Sequence, residues 1–465
     1  MSFSNAKPTS AATLTGELVD FAKRCSWHEL PAEARHCAIR HLLDTVGTMI
    51  AGASGHVACS AERMLANVHP AGSVPVPGRS RRADMLDGAF LAATAGHGIE
   101  LDDGYRQGSV HPGVCIVPAA LYAAYGRGKS GSSLLEAVVA GYEIMLSVAL
   151  LCHPDLRRKG FHPTGVTGVL GAAAAAARLF DFEPQQIENA FGIAASSAAG
   201  LFAFINGGTD IKRLHAGHAA REGLQAVLLT CQGILGPPRV LESPDGFLQS
   251  FGKQGGALYG ISLPPAAEYR ITDCYIKPYA CCRHLQPAAE ALIGLLDQHG
   301  IDEAAIREVR VETYAIAAAH SATPWDEYAS AQLSFPYVMA LSMRYRGIKL
   351  GYFEDTVRND PGLGGLCARV RVQVAGDLDQ QYPHRRPARV TVSTDAGTYT
   401  RTALEALGCR DMPLTDAQLG EKFLELTEPA LGAGRARPLL EQLWTIAQFD
   451  DVSPVIDSMA LAACS

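Results

Sequence analysis

The spacing of apolar residues divides this chain of 465 residues into two parts that predict different secondary structure. As far as about residue 264, apolar residues recur at helical spacing and no run alternates convincingly between apolar and polar residues. In this part, the run Gly168-Val-Leu-Gly-Ala-Ala-Ala-Ala-Ala-Ala has side chains small enough for neighbouring helices to approach closely. We therefore predict an all-helical first part with this run at the middle of a bundle.

Alternation with period two, which is typical of half-buried strands, begins only in the second part. It occurs at residues 308–314, 368–374, 388–394 and 398–402, and the last two runs flank Asp395-Ala-Gly397, a hairpin pattern. Helical runs at residues 282–298 and 330–342 lie between these strands, so we place an α+β domain at residues 265–406. The helices that follow Thr415 are amphipathic and suit a return to the helical domain.

Charge and cysteine content narrow the classes of function. The formal net charge is −7 and the pI is about 6.1, which argues against a nucleic-acid partner. The N-terminus lacks the pattern of a secretory signal, and the apolar runs are interrupted before they reach membrane-spanning length. The 12 cysteines show no CxxC spacing, so no zinc or dithiol site is predicted, and the one adjacent pair is Cys281-Cys282. We expect a soluble, cytoplasmic protein with reduced thiols and no membrane partner.

The segment richest in titratable groups is His97-Gly-Ile-Glu-Leu-Asp-Asp-Gly-Tyr-Arg-Gln-Gly-Ser-Val-His-Pro-Gly113, between two apolar segments. It holds three carboxylates, two histidines and one arginine, although loops between packed helices are usually short and carry few polar caps. Acid–base chemistry needs a carboxylate or an imidazole held near a reacting atom, and loops on a rigid scaffold often carry such groups. The alternative is a solvated loop capped by Asp103.

Three further polar segments accompany it: one around His162, one that opens at Lys212 and includes His215 and His218, and Lys277-Pro-Tyr-Ala-Cys-Cys-Arg283-His284. Each has an ordinary alternative interpretation: a helix cap for His162, a solvated side chain for Lys212, and a surface helix face for the other two histidines. No spacing matches a metal motif, and no phosphate loop or Gly-x-Ser-x-Gly elbow is present. Together, the lysines, arginine and histidines suit a small anionic substrate, because proton abstraction next to a carboxylate builds a dianion that cationic donors must stabilise.

These segments resemble the MmgE/PrpD family, which includes 2-methylcitrate dehydratase, cis-aconitate decarboxylase and iminodisuccinate epimerase. The resemblance covers nearly the whole chain and rests on a combination of motifs: His97-Gly-Ile-Glu-Leu-Asp-Asp, His111-Pro-Gly, Gly160-Phe-His-Pro-Thr-Gly, Ile211-Lys-Arg-Leu-His-Ala-Gly-His, Ile276-Lys-Pro-Tyr-Ala-Cys-Cys-Arg-His and Ala331-Gln-Leu-Ser-Phe-Pro-Tyr. It implies an all-α helical domain built from residues 1–264 and 407–465 and a smaller inserted α+β domain. It also implies a homodimer, an active site between the domains, and no metal or organic cofactor.

The resemblance also implies roles for individual residues. It places two active-site histidines at His111 and His162 and two lysines at Lys212 and Lys277. The histidines are predicted to form the acid–base pair, and the lysines with Arg283 to bind carboxylates and hold the enediolate, while Asp102 and Asp103 orient these groups. The remaining predicted substrate-binding residues are Glu100, Tyr105, Arg106, Cys282 and His284, besides Arg283.

Two positions depart from the family pattern. Where the dehydratase and the decarboxylase have Asp-Phe-Asp-Asp-Thr, this chain has Glu100-Leu-Asp-Asp-Gly104, and where the decarboxylase has a histidine it has Cys282. These departures argue against the decarboxylase branch, and Lys277-Pro-Tyr with Cys282-Arg283 resembles the dehydratase and epimerase branches more closely. The first hypothesis is a hydro-lyase acting on a di- or tricarboxylate of the 2-methylcitrate type. An epimerase or isomerase of an amino or imino dicarboxylate comes second and a cis-aconitate-type decarboxylase third, and a non-catalytic carboxylate-binding protein is a separate class.

Overall fold

The computed structural model of the chain describes residues 13–206, 209–252, 262–264 and 268–462. The chain divides into two compact units, one formed by Met1–Tyr275 with Thr415–Ser465 and the other by Ile276–Leu414. The backbone N–H of Ile271 donates to Glu143 at 3.0 Å, which attaches this segment to the first unit. The first boundary therefore falls later than the predicted residue 265.

The first segment of the first unit consists, within its described residues, of helices joined by loops and isolated β-bridges. Side-chain caps account for several helix starts, since Thr13, Asp84 and Ser130 each accept a bond from a first-turn N–H. The helices are α1 (Leu14–Arg24), α2 (Ala32–Gly52), α3 (His56–Val68), α4 (Met85–His97), α5 (Gly113–Arg127), α6 (Gly131–Cys152), α7 (Asp155–Arg158), α8 (Pro163–Leu179), α9 (Pro184–Ser196), α10 (Ile211–Cys231) and α11 (Phe247–Phe251).

Helix α8 lies in the middle of this unit, as its alanine-rich sequence predicts. Every residue of α8 except Arg178 is buried. A side chain on Gly171 would come within 2.9 Å of a backbone oxygen of α6, and one on Gly223 of α10 would come within 2.6 Å of the Val169 oxygen. The small residues therefore let α6 and α10 pack directly against the backbone of α8.

Among the described residues, α6 is the one helix with the length and apolar character that crossing a membrane requires. However, 83% of its most apolar stretch is buried inside the protein. The core helix of a compact domain meets the same two criteria. The burial of α6 identifies it as a core helix of the first unit.

The second unit combines helices with a four-stranded sheet in the order β2-β1-β3-β4. Strand β1 pairs parallel with β2 and antiparallel with β3, and β3 and β4 form the predicted hairpin. All four predicted strands are confirmed, with bounds β1 (Ile306–Thr313), β2 (Val370–Val374), β3 (Ala388–Thr394) and β4 (Gly397–Ala403). The helices are α12 (Gln286–His299), α13 (Ala315–Ala318), α14 (Tyr328–Ala331), α15 (Phe335–Tyr345), α16 (Asp355–Arg358), α17 (Pro361–Cys367) and α18 (Gly376–Asp379).

The last segment of the chain adds three helices to the first unit: α19 (Asp416–Leu431), α20 (Ala433–Trp444) and α21 (Ser453–Ser458). Thr415 and Gln418 cap α19 reciprocally, because each side chain bonds to the other residue's backbone N–H. Phe423 of α19 packs on α2 at Gly47, where an added side chain would come within 3.2 Å of the Phe423 ring. Helix α19 therefore supports α2 directly.

Candidate active site

The central loop, residues 98–112, joins α4 to α5 and is folded into the interior of the first unit. Helix α4 ends at His97, whose side chain is fully buried. The acidic residues of the loop are buried as well: Glu100 is 6% exposed, and Asp102 and Asp103 are each 1% exposed. The alternative of a solvated loop is therefore wrong, because buried carboxylates at this density need specific partners.

Asp103 fixes the loop to the helices around it. One carboxylate oxygen accepts the backbone N–H of Gly113 at 2.9 Å, so Asp103 does cap the start of α5. The other oxygen accepts the Tyr142 hydroxyl at 2.8 Å and lies 2.9 Å from Nδ1 of His41. This network fixes the position of the loop, and the predicted role of Asp103 in orienting the catalytic groups stays a prediction.

Asp102 joins two histidines. Its Oδ2 atom lies 2.7 Å from Nδ1 of His97 and 3.2 Å from Nδ1 of His111. The two imidazole rings are 5.2 Å apart between centroids. Asp102 therefore holds both rings from behind, and it stabilises a proton on either of them.

The tautomer of His111 follows from its contacts. Its Nδ1 atom lies 2.6 Å from the backbone carbonyl oxygen of Asp103, which can only accept, so Nδ1 carries the proton. In the neutral ring, Nε2 then holds the lone pair. The backbone N–H of His111 donates to the Thr164 hydroxyl at 3.1 Å, and the side chain of His111 remains 18% exposed. His111 is thus oriented as a proton acceptor.

The side chains of Glu100 and Lys212 form an ion pair that joins the central loop to the first turn of α10. The carboxylate side chain is 7% exposed and the lysine side chain 17% exposed. Glu100 has a φ of +55°, in the left-handed region that side chains other than glycine rarely adopt. Such local backbone strain is typical of functional sites.

His162 lies directly before α8, in an aromatic and cationic environment. Its ring stacks on His97 at 5.8 Å and meets the edges of Phe202 at 5.9 Å and Phe204 at 5.1 Å. Burial lowers the pKa of His162 well below its usual value, and the nearby His97, Lys212, His215 and His111 lower this pKa further. His162 is therefore neutral at pH 7 in the free protein.

The interpretation of His215 and His218 as one surface face is wrong for His215. His215 is 7% exposed, and its Nδ1 atom lies 3.0 Å from Nδ1 of His162. Its pKa is lowered to about 4, mainly by burial. His218 is exposed, as predicted. The two residues are three positions apart on α10, and α8 covers only the His215 side.

A metal ion is one possible occupant of this cluster. Ligand atoms of His97, Asp102 and His111 all lie within 4.8 Å of one another. However, both Nδ1 atoms face the same carboxylate oxygen at hydrogen-bonding distances, and the Lys212 ammonium is close enough to lower the pKa of His162. This donor set fits a network of shared protons better than a cation site.

Two other predicted residues of the loop have different surroundings. Tyr105 is buried, and burial raises the pKa of its hydroxyl, together with the nearby Cys274 and Asp273. Asp273 and Cys274 lie at the end of the first segment of the first unit, which ends at Tyr275. Tyr105 therefore holds the loop against the end of this segment. Arg106 is half-buried.

The predicted residues Lys277, Cys282, Arg283 and His284 belong to the second unit. The guanidinium of Arg283 donates to Gln286 and to the carbonyl oxygens of residues 406 and 407, at 2.7 to 3.0 Å. These bonds hold the Arg283 side chain inside the second unit, and its predicted role as a carboxylate ligand stays a prediction. Lys277 is 1% exposed and Cys282 is half-buried.

His284 and Tyr337 also make hydrogen-bonding contacts within the second unit. His284 lies 2.6 Å from the Tyr314 hydroxyl, and burial lowers its pKa. The Tyr337 hydroxyl donates to the Tyr352 carbonyl oxygen at 2.6 Å, inside the unit. Cys281 is buried, and burial raises its pKa; none of the 11 described cysteines forms a disulfide.

Sequence reasoning missed several members of the cluster. His97 and Thr164 both lie in the family motifs, but no role was predicted for either residue. Tyr142 and Phe204 carried no signal, since apolar helical segments often contain aromatic residues. His215 could have been predicted, because it lies three residues after Lys212 on α10 and residues at this spacing share a helix face.

Family models match most of the chain. The MmgE/PrpD N-terminal domain matches residues 16–257, and the MmgE/PrpD C-terminal domain matches residues 279–446. The former match includes the whole histidine cluster.

Three relatives are similar over most of their length. The cis-aconitate decarboxylase-like protein oryM of Aspergillus oryzae is 26% identical, over 96% of this chain and 97% of its own. The cis-aconitate decarboxylase of Aspergillus terreus is 24% identical, over 98% of each chain. The human cis-aconitate decarboxylase is 26% identical, over 78% of this chain and 77% of its own.

Proposed function

The chain belongs to the MmgE/PrpD family, and from this membership and its histidine cluster we propose that it is a lyase acting on a small di- or tricarboxylate of the 2-methylcitrate type. It removes a proton next to a carboxylate and eliminates water, without a metal or an organic cofactor. One observation carries the proposal: the Nδ1–H of His111 is committed to the Asp103 carbonyl oxygen, so its Nε2 is the proton acceptor.

The proposed reaction balances with the groups at hand. Nε2 of His111 takes the proton from carbon, and the electron pair of the C–H bond becomes the enediolate of the adjacent carboxylate. Asp102 stabilises the imidazolium that forms. The enediolate then expels the β-hydroxyl as water with the Nε2 proton of neutral His162. The imidazolate that remains is stabilised by the nearby Lys212 ammonium and regains a proton from the His111 imidazolium.

Cationic side chains are proposed to hold the substrate during this step. Lys212 places an ammonium beside the histidines, and its partner Glu100 fixes its position. Lys277 keeps the predicted role of carboxylate ligand, which a Lys277→Met variant tests through KM. Arg283, which hydrogen bonds hold in place inside the second unit, keeps its predicted role as a further carboxylate ligand.

Decarboxylation is the second candidate, and the names of the relatives favour it. The same cluster would hold a cis-aconitate-like acid, whose C–C bond to one carboxylate breaks with release of carbon dioxide. The carbanion would then take a proton from an imidazolium. Cys282, which stands where the decarboxylase pattern has a histidine, favours dehydration instead.

The test is a panel of di- and tricarboxylates incubated with EDTA-treated protein in deuterated water and followed by proton NMR. The proposal expects an alkene product from a 2-methylcitrate-type acid, with absorbance rising near 240 nm. Carbon dioxide release would support the second candidate. Deuterium uptake without an alkene would identify an epimerase, and binding without any turnover would refute catalysis.

A further inference from the structure

The Nδ1 atoms of His162 and His215 face each other at 3.0 Å, with ring centroids 5.1 Å apart. A nitrogen without a proton must accept this bond, so the two Nδ1 atoms cannot both carry protons. We propose that His215 is a positioning residue that donates its Nδ1–H to His162 and thereby keeps the remaining proton of His162 on Nε2. The proposal deepens the proposed function and rests on the acid role given there to His162.

The direction of the bond follows from the two roles that the reaction needs. His111 has its proton on Nδ1 and its lone pair on Nε2, which suits a base. An acid partner needs the opposite tautomer, with the proton on Nε2, and His162 has that tautomer when its Nδ1 accepts from His215. The two histidines then offer complementary nitrogens without a change in net charge.

The surrounding backbone fixes the ring of His215. Gly200 has a φ of +125°, and a side chain there would come within 3.2 Å of Nδ1 and Cγ of His215. The Gly200 carbonyl oxygen accepts the backbone N–H of His162 at 2.9 Å, so one segment holds both histidines. The ring of Phe204 covers the pair, 5.1 Å from His162 and 6.0 Å from His215. With solvent excluded, each ring has few alternatives to this bond.

The charged neighbours keep the pair neutral. His97, His111 and Lys212 act on His162, and His97, His218 and Lys212 act on His215. All of these groups are cationic when protonated, and the pKa of each histidine is lowered. At pH 7 the variable property of His162 is therefore its tautomer and not its charge.

The experiment measures the tautomer directly in the full-length protein labelled with nitrogen-15 in histidine. The ring-nitrogen shifts of His162, assigned with a His162→Gln variant, should show a protonated Nε2 and a bare Nδ1. In His215→Phe, which keeps a ring but has no donor, the shifts should move toward a mixture of tautomers. A protonated Nδ1 in the unaltered protein, or unchanged shifts in His215→Phe, would overturn the proposal.

Matched variants separate positioning from folding. The side-chain amide of asparagine reaches the position of Nδ1 and that of glutamine reaches the position of Nε2. His215→Asn should therefore keep the His162 tautomer and most of kcat, whereas His215→Gln should lose both, with kcat falling at least about 10-fold at similar KM. Equal behaviour of the two variants would refute the proposal. His218→Asn, on the exposed side of α10, is the control.

The nitrogen shifts require no substrate, so a failure of the proposed function is distinguishable from a failure of this inference. Full turnover in a His162→Asn variant would refute the acid role of His162. The dependence of the His162 tautomer on His215 would still be decided by the shifts alone.

Discussion

The carboxylate of Glu100 is paired with the ammonium of Lys212, which lies 112 positions later in the chain. The pair joins the central loop to the start of α10, and both side chains are largely shielded from water. Removal of one member of a shielded pair takes away the favourable interaction that offset the desolvation of the other charge. Lys212→Met should therefore lower the free energy of unfolding by about 2–4 kcal/mol, measured by chemical denaturation.

A second substitution and an exposed pair serve as controls for this prediction. Adding Glu100→Gln to Lys212→Met should recover part of the loss, because the shielded carboxylate charge is then removed as well. Lys23→Met breaks the exposed pair between Lys23 and Glu183, whose side chains are 31% and 71% exposed, and should cost less than about 1 kcal/mol. Equal losses at the two sites would contradict the role of burial.

The hydroxyl of Tyr142 should contribute more to stability than that of Tyr122, although both tyrosines are buried. Tyr142 donates to the charged Asp103 at 2.8 Å, whereas Tyr122 donates to the neutral Pro75 carbonyl oxygen at 2.9 Å. Tyr142→Phe should lower the free energy of unfolding by about 1.5–3 kcal/mol and Tyr122→Phe by about 0.5–1.5 kcal/mol. The reverse order in denaturation curves would show that Asp103 does not depend on this bond.

Lys422 of α19 is predicted to keep Asp44 ionised. Its ammonium lies 2.5 Å from Asp44 and donates to the Leu101 carbonyl oxygen at 3.1 Å. Burial raises the pKa of Asp44, and Lys422 opposes this shift. In Lys422→Met, the pKa of Asp44 should rise further, so the folded state should bind a proton that the unfolded state does not hold at the same pH.

The direction of this pKa shift determines how the stability of the variant should change with pH. A raised pKa in the folded state contributes stability that is lost as pH rises through that pKa. The stability deficit of Lys422→Met against the unaltered protein should therefore shrink from pH 8 to pH 5. In Lys422→Met combined with Asp44→Asn, the deficit should not change with pH in that window.

The histidine pair predicts the opposite pH dependence. The pKa of His215 is lowered to about 4, and that of His162 is lowered as well, against about 6.5 in the unfolded chain. Between these values the unfolded chain binds more protons, so stability falls as pH falls below about 6.5. Denaturation at pH 7 and pH 5 should show a smaller loss for His215→Asn than for the unaltered protein, and an equal loss would contradict the buried neutral state.

The sequence predicted those features that local patterns determine. Alternation identified all four strands, and the alanine-rich run identified α8 as central. Helix α3 has a weaker pattern, because only Ala58, Ala61 and Leu65 of its residues are buried and its apolar stripe is correspondingly narrow.

The site was predictable as a set of motifs but not as a network. Tyr142 donates to a residue 39 positions away, and His215 pairs with a residue 53 positions away. Such contacts depend on how helices pack and leave no local pattern. Polar residues occur around most of α10, so its sequence alone did not show that His215 faces inward.

The central claim is that His111 removes a proton from carbon. Its most direct test is the rate at which this hydrogen of the substrate exchanges for deuterium from the solvent. After EDTA treatment, the protein is compared with His111→Asn, which keeps a polar group at Nδ1 but has no Nε2. The account predicts that exchange and turnover survive EDTA and fall by about 10²–10⁴-fold in His111→Asn. Exchange that persists in His111→Asn at the unaltered rate would contradict the claim that His111 removes the proton.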